Sequence, residues 1–67
     1  MSVEEEKKGV DNIIETAKWD MYGEEWGQAE ANLKSAKITA IRLKDKVRID
    51  IILDLLKKAS TKEKVPV

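Results

Sequence analysis

The stretch KITAIRLKDKVRIDIILDLL, residues 37–56, decides the fold, because it can be read in three ways. It holds neither glycine nor proline, so the economical reading is one uninterrupted helix. A second reading breaks the helix at Lys44, Asp45 and Lys46, with Asp45 as the cap of a third helix. In a third, Lys37–Leu43 and Val47–Ile51 alternate as two strands joined by the same three residues. The uninterrupted helix is preferred, since nothing in Lys44–Lys46 is a conventional breaker.

Upstream, apolar or small residues recur at Trp26, Ala29, Leu33, Ala36, Ala40, Leu43 and Val47, in steps of three and four. This is a helical seam, and its three alanines permit close approach of a neighbour. Trp26, Ala29, Leu33 and Ala36 resemble the second helix of a tetratricopeptide unit over about eleven residues. The roughly 34-residue period of that family is absent, so the resemblance implies two closely packed helices and no function. Ile38, Ile41, Ile49, Ile52, Leu56 and Ala59 form a second stripe about 140° round the same helix, which therefore has two faces to cover. Helix 2 is read over about 26–59.

Gly23, Glu24 and Glu25 precede it and form the turn. Before them, Ser2 and Glu5 have the spacing of a capping box, and Val3, Val10, Ile13, Ile14, Ala17 and Met21 share one stripe. Helix 1 is read over about 3–22, weakened at Gly9. Residues 61–67 have little to bury and are read as a disordered tail, leaving one domain over 1–60.

Lengths then set the expected architecture. Folded back from the turn, residue 22 − k lies beside residue 26 + k, so Val10 reaches Ile38 and Val3 reaches only Asp45. Beyond that point the arm carries Val47, Ile49, Ile51, Ile52, Leu53, Leu55 and Leu56, and leaving these in water forfeits about 1.5–3 kcal/mol per side chain. The expected solution is an all-α antiparallel hairpin dimerising into a four-helix bundle, with Ile38, Ile41, Ile49, Ile52, Leu53 and Leu56 at the dimer interface. The alternative is a monomeric three-helix bundle broken near Lys44–Lys46.

Composition narrows the chemistry. The 67 residues include no cysteine and no histidine, which leaves no disulfide staple and makes a zinc site or a histidine-based acid–base centre an unsuitable expectation. The expectation is a chain without enzymatic activity, cofactor or metal. Glu4–Glu6 and the Asp50/Asp54 pair lack the spacing of a cation loop and read as solvated charge. The early glutamates leave no room for a secretory apolar run, and no apolar stretch approaches the roughly 20 residues of a membrane span, so a cytoplasmic, non-membrane protein is expected. Abundant Lys, Glu and Ile, with one glutamine and two asparagines, resemble thermophile usage.

Charge is zero overall but segregated. Residues 1–33 hold nine acidic and three basic side chains, and residues 34–67 hold ten basic and four acidic. The bland consequence is an acidic helix lying against a basic one. The sharper one is a nucleic-acid surface using Arg42, Lys44, Lys46 and Arg48, although these wander round the helix. Asp45 reads as a polar residue fixing register with a Lys or Arg of the partner helix. Trp19, Tyr22 and Trp26 read either as a cluster closing the hairpin end or as a protein-docking patch. The functional expectation is a homodimeric adaptor or regulatory module with an unknown protein partner. Its alternative is a small nucleic-acid-binding regulator.

Overall fold

The computed structural model describes residues 2–64, which fold as three helices: α1 (Val3–Tyr22), α2 (Trp26–Arg42) and α3 (Lys46–Ser60). Ser2 caps α1, its hydroxyl accepting from the Glu5 N–H at 3.2 Å, and Glu4, Glu5 and Glu6 place negative charge at the positive end of the helix dipole. Asp45 caps α3, its carboxylate accepting from the Arg48 N–H at 3.2 Å. Lys57 and Lys58 complement the other end of α3.

The single long helix expected over 26–59 does not form, and with it go the hairpin dimer and the four-helix bundle. The chain turns at Leu43–Asp45 and α3 folds back along α2, giving a compact three-helix monomer. The strand reading also fails, since Lys37–Arg42 and Val47–Ile51 are helical. The turn works without glycine because Lys44 takes the left-handed conformation, with φ at 55°. Its N–H reaches the Ile41 carbonyl at 3.0 Å and the Asp45 N–H reaches that of Ala40 at 3.0 Å, satisfying two carbonyls that the end of α2 leaves free.

The same exit closes the other helices. Glu24 and Lys62 have φ of 62° and 58°. Glu24 and Glu25 donate to Met21 and Asp20, and Lys62 and Glu63 donate to Ala59 and Lys58. Of the expected tail, Thr61–Lys64 thus continue from α3 in an ordered turn, while Val65–Val67 lie outside the described residues.

The core is continuous across all three helices: Val10, Ile14, Ala17 and Met21 from α1, Ala29, Leu33, Ala36 and Ala40 from α2, and Ile52, Leu55 and Ala59 from α3. Alanines at the α1–α2 contact let the two backbones approach closely, as the seam predicts. The greasy arm is covered by its own chain only in part, with Val47 and Ile51 left 69% and 42% exposed. Ile52 is fully buried, Ile49 and Leu56 are half-buried against the core, and Ile38, Ile41 and Leu53 remain exposed. No side-chain nitrogen or oxygen is buried without a partner among the described residues.

Candidate functional site

Three sets of side chains were expected to matter, and the fold treats them differently. The four basic residues are mostly engaged within the chain. Arg48 donates from Nε and Nη2 to the two carboxylate oxygens of Asp11, at 2.8 Å each, and from Nη1 to Asp45 at 2.8 Å. Arg42 bonds the Glu6 carboxylate, and Lys46 stands 3.7 Å from Asp50. Lys44 is exposed at the turn. Glu6 and Arg42 also satisfy the register that sets residue 22 − k beside 26 + k, so the acidic helix does lie along the basic one.

These contacts have electrostatic consequences. The Arg42 guanidinium hydrogen-bonded to Glu6 holds that carboxyl below its ordinary range, and the pairing raises Arg42 in turn. Asp45 is also lowered, chiefly by the Arg48 backbone N–H that it caps and then by the Arg48 side chain. Arg48 is raised, first by Asp11 and then by Asp45. Asp45 therefore meets an arginine of its own chain, not one across a subunit interface.

The aromatic trio is divided. Trp19 and Tyr22 are more than half exposed and meet edge to face, with centroids 5.9 Å apart and planes at 86°. Lys64 places its ammonium 5.9 Å from the Tyr22 ring centre, within cation–π range. Trp26 is half-buried and packs against the core, so it belongs to the bundle and not to the same patch.

The six residues expected at a dimer interface separate by depth. Two of those left outside, Ile41 and Leu53, lie on one side of the α2–α3 pair. Asn32 donates to Asp20 at 2.7 Å and so marks the side of α2 turned toward α1. Ile41, nine residues later, lies about 180° away at 100° per residue. On α3, Arg48 marks the α1 side through Asp11, and Leu53 lies about 140° round from it. Ile41 and Leu53 thus share the face averted from α1, with half-buried Ile49 and Leu56 as its floor, whereas Ile38 lies about 60° round α2 from Ile41 and about 40° from Arg42, whose partner Glu6 is on α1.

Lys34, Lys37 and Lys57 fall on the margin of this face, and among the described residues none is within ion-pair distance of a carboxylate. Helical periodicity exposes both stripes of α2. What was hidden in the sequence was which stripe the third helix would take.

Two shallow clefts flank the start of α1. One, of about 320 Å³, is bounded by Glu4, Glu5, Lys7, Lys8, Asp11 and Arg48. The other, of about 210 Å³, has Val10, Ile13 and Gly9 between Glu6 and Arg42. Each has one of the ion pairs already described in its wall, Asp11 with Arg48 in the first and Glu6 with Arg42 in the second. Glu4–Glu6 belong to the first turn of α1, and Asp54 pairs with Lys58 at 3.1 Å as Asp50 does with Lys46. Among the described residues no three His, Cys, Asp or Glu side chains gather as a metal set, and no helix is long and apolar enough to cross a membrane. No protein family, characterised protein or solved structure matches the chain.

Proposed function

We propose that the chain is a non-enzymatic protein-interaction module that works as a monomer, presenting the α2–α3 face to another protein. The observation that carries this reading is the contrast between a closed core and large apolar side chains left outside it. Ile38, Ile41 and Leu53 are 69%, 53% and 47% exposed, outside a core that draws on all three helices. Ile41 and Leu53 stand together on the face averted from α1, as at a partner site, while Val47 and Ile51 are exposed on another side of α3 and the aromatics Trp19 and Tyr22 add a further place for contact.

The test is affinity capture from the source cells with three baits: the wild-type chain, the Ile38→Asp/Ile41→Asp variant and the Trp19→Ala variant. The expected result is a defined protein retained by wild type and lost with the paired isoleucine variant, whose circular dichroism stays helical. Capture of the same proteins by all three baits would contradict it.

The nucleic-acid reading survives the loss of the dimer better than the homodimeric adaptor does, because it never required two copies. It is favoured by Lys34, Lys37, Lys44 and Lys57, which have no carboxylate within 4 Å among the described residues. Those lysines are better candidates for phosphate than Arg42 and Arg48, whose guanidiniums are occupied by carboxylates. A mobility shift that weakens steeply between low and moderate salt, and disappears when the four lysines become glutamine, supports it.

A further inference from the structure

We infer that the α2–α3 face receives an acidic amphipathic helix from a partner protein, its apolar side chains resting on Ile41 and Leu53 over Ile49 and Leu56 and its carboxylates meeting Lys34, Lys37 and Lys57. This rests on the interaction-module reading and specifies the partner for that site.

The shape of the patch selects the occupant. Measured from the Leu43–Asp45 turn at 1.5 Å per residue, the apolar strip runs from Ile41 to Leu56 over about 14 Å along the helix axes. That is the length of about ten helical residues, or three successive anchors at i, i+3 or i+4, and i+7. An extended peptide has nothing to gain here, because all the elements present among the described residues are helices and their backbone groups are already paired. A helix satisfies its own backbone and needs only an apolar strip.

Charge selects the sign. Residues 26–60 carry eight basic and four acidic side chains, whereas residues 1–25 carry eight acidic and three basic. Residues 26–60 are thus the more basic part of a neutral molecule, and the face that α2 and α3 share turns away from acidic α1. Arg42 and Arg48 spend their charge on Glu6 and Asp11 behind the face, so its lysines are left to meet an outside partner. The centre of the strip is isoleucine and leucine, which suits leucines on a partner helix and offers a phosphate backbone nothing.

The experiment is selection of randomised peptides of about 15 residues against the immobilised 67-residue chain. Selected peptides are then measured by fluorescence anisotropy against the wild-type chain and three variants: Ile41→Asp, Lys34→Glu/Lys37→Glu/Lys57→Glu, and Trp19→Ala. The inference expects selected peptides with apolar residues at helical spacing and an excess of Glu and Asp. Ile41→Asp is expected to weaken them by about tenfold or more.

The triple charge reversal is expected to weaken them by a similar factor and to accept, in their place, the same peptides with Glu changed to Lys. A variant that merely loosened the bundle would not produce that exchange. Peptides that bind but are lost with Trp19→Ala and not with Ile41→Asp overturn this inference while leaving the interaction-module reading intact. So does a wild-type chain that sediments as a dimer released by Ile41→Asp, since the face is then taken by a second copy. If no peptide binds above a scrambled control while a mixed-sequence oligonucleotide does, both fall.

Discussion

Lys44→Gly tests the break between α2 and α3 by the sign of its effect. Lys44 sits at φ 55°, a conformation that costs an L-residue about 1–2 kcal/mol and costs glycine almost nothing. Glycine also makes the unfolded chain more flexible, which takes back about 0.4–1 kcal/mol. The net expectation is a gain of about 0.5–1 kcal/mol. For 67 residues, with an unfolding entropy of about 2.1 cal/mol/K per residue, this raises Tm by about 3–7 °C.

Were residues 26–59 one continuous helix, the same substitution would remove a good helix former from its interior and lower stability by close to 1 kcal/mol. Thermal melts followed by circular dichroism, with urea titrations to check that the m-value is unchanged, separate the two. A fall in Tm would refute the left-handed turn and the three-helix fold together. Lys44→Ala is the companion measurement, because alanine gains nothing at a left-handed position but slightly strengthens a continuous helix.

Other expectations follow from the same geometry. Leu33 is wholly buried at the meeting of the helices, so Leu33→Ala is expected to cost about 2–5 kcal/mol in a urea titration, much of what so small a core supplies. Gly9 lies inside α1 with nothing within 4 Å of where a Cβ would stand, so Gly9→Ala is expected to stabilise by about 1 kcal/mol, and a loss would mean that the site is not open helix. Glu6 and Asp45 are lowered in the folded chain, Glu6 by its bond to Arg42 and Asp45 chiefly by the Arg48 N–H. Their contribution is complete above the unfolded carboxylate value of about 4 and is lost as pH falls from there toward the folded values. Urea midpoints measured from neutral pH down to about pH 3 should therefore decline less steeply for Glu6→Gln/Asp45→Asn than for wild type.

The parts of the fold that could be read from residues alone are those that follow periodicity and composition. The stripe Val10, Ile14, Ala17, Met21 and the seam Ala29, Leu33, Ala36, Ala40 are the buried faces of α1 and α2. Ser2 stands where its residue type places it, and the Gly23–Glu25 turn falls at the expected place although its left-handed residue is Glu24 and not a glycine. The break at residue 44 was not legible from breakers, because it uses a backbone conformation that glycine favours and places a lysine there.

A subtler signal was present. Lys44-Asp45-Lys46-Val47 and Lys62-Glu63-Lys64-Val65 have one pattern, and the left-handed residue is the first lysine of each. Asp45 differs from Glu63 in that a helix follows it, and its shorter carboxylate reaches the Arg48 N–H to start that helix. The candidate site was legible only in part. Periodicity marks Ile38, Ile41 and Leu53 as apolar positions on a helix, but whether they face the core or the outside depends on where α3 lies.

The expected mismatch between a short and a long arm disappears because the second arm is two helices, and the way it folds back explains the surface. An arm too oily to stay in water had to be covered, and covering by a second copy or by folding back bury similar side chains. Folding back needs only one left-handed residue, whereas dimerisation costs the translational and rotational freedom of two molecules, about 4–15 kcal/mol at the standard state. The single turn therefore has the advantage at any ordinary concentration. Arg48 ties α3 to α1 where it comes to rest, its one guanidinium bonding Asp11 on α1 and Asp45 at the head of its own helix. With α3 held toward α1 on that side, Ile52 and Leu55 turn inward and Leu53 turns out beside Ile41. The ion pair adds to an orientation that the buried Ile52, Leu55 and Ala59 set, and Arg48→Met should loosen α3 before it unfolds the bundle, a change that hydrogen exchange along α3 would register.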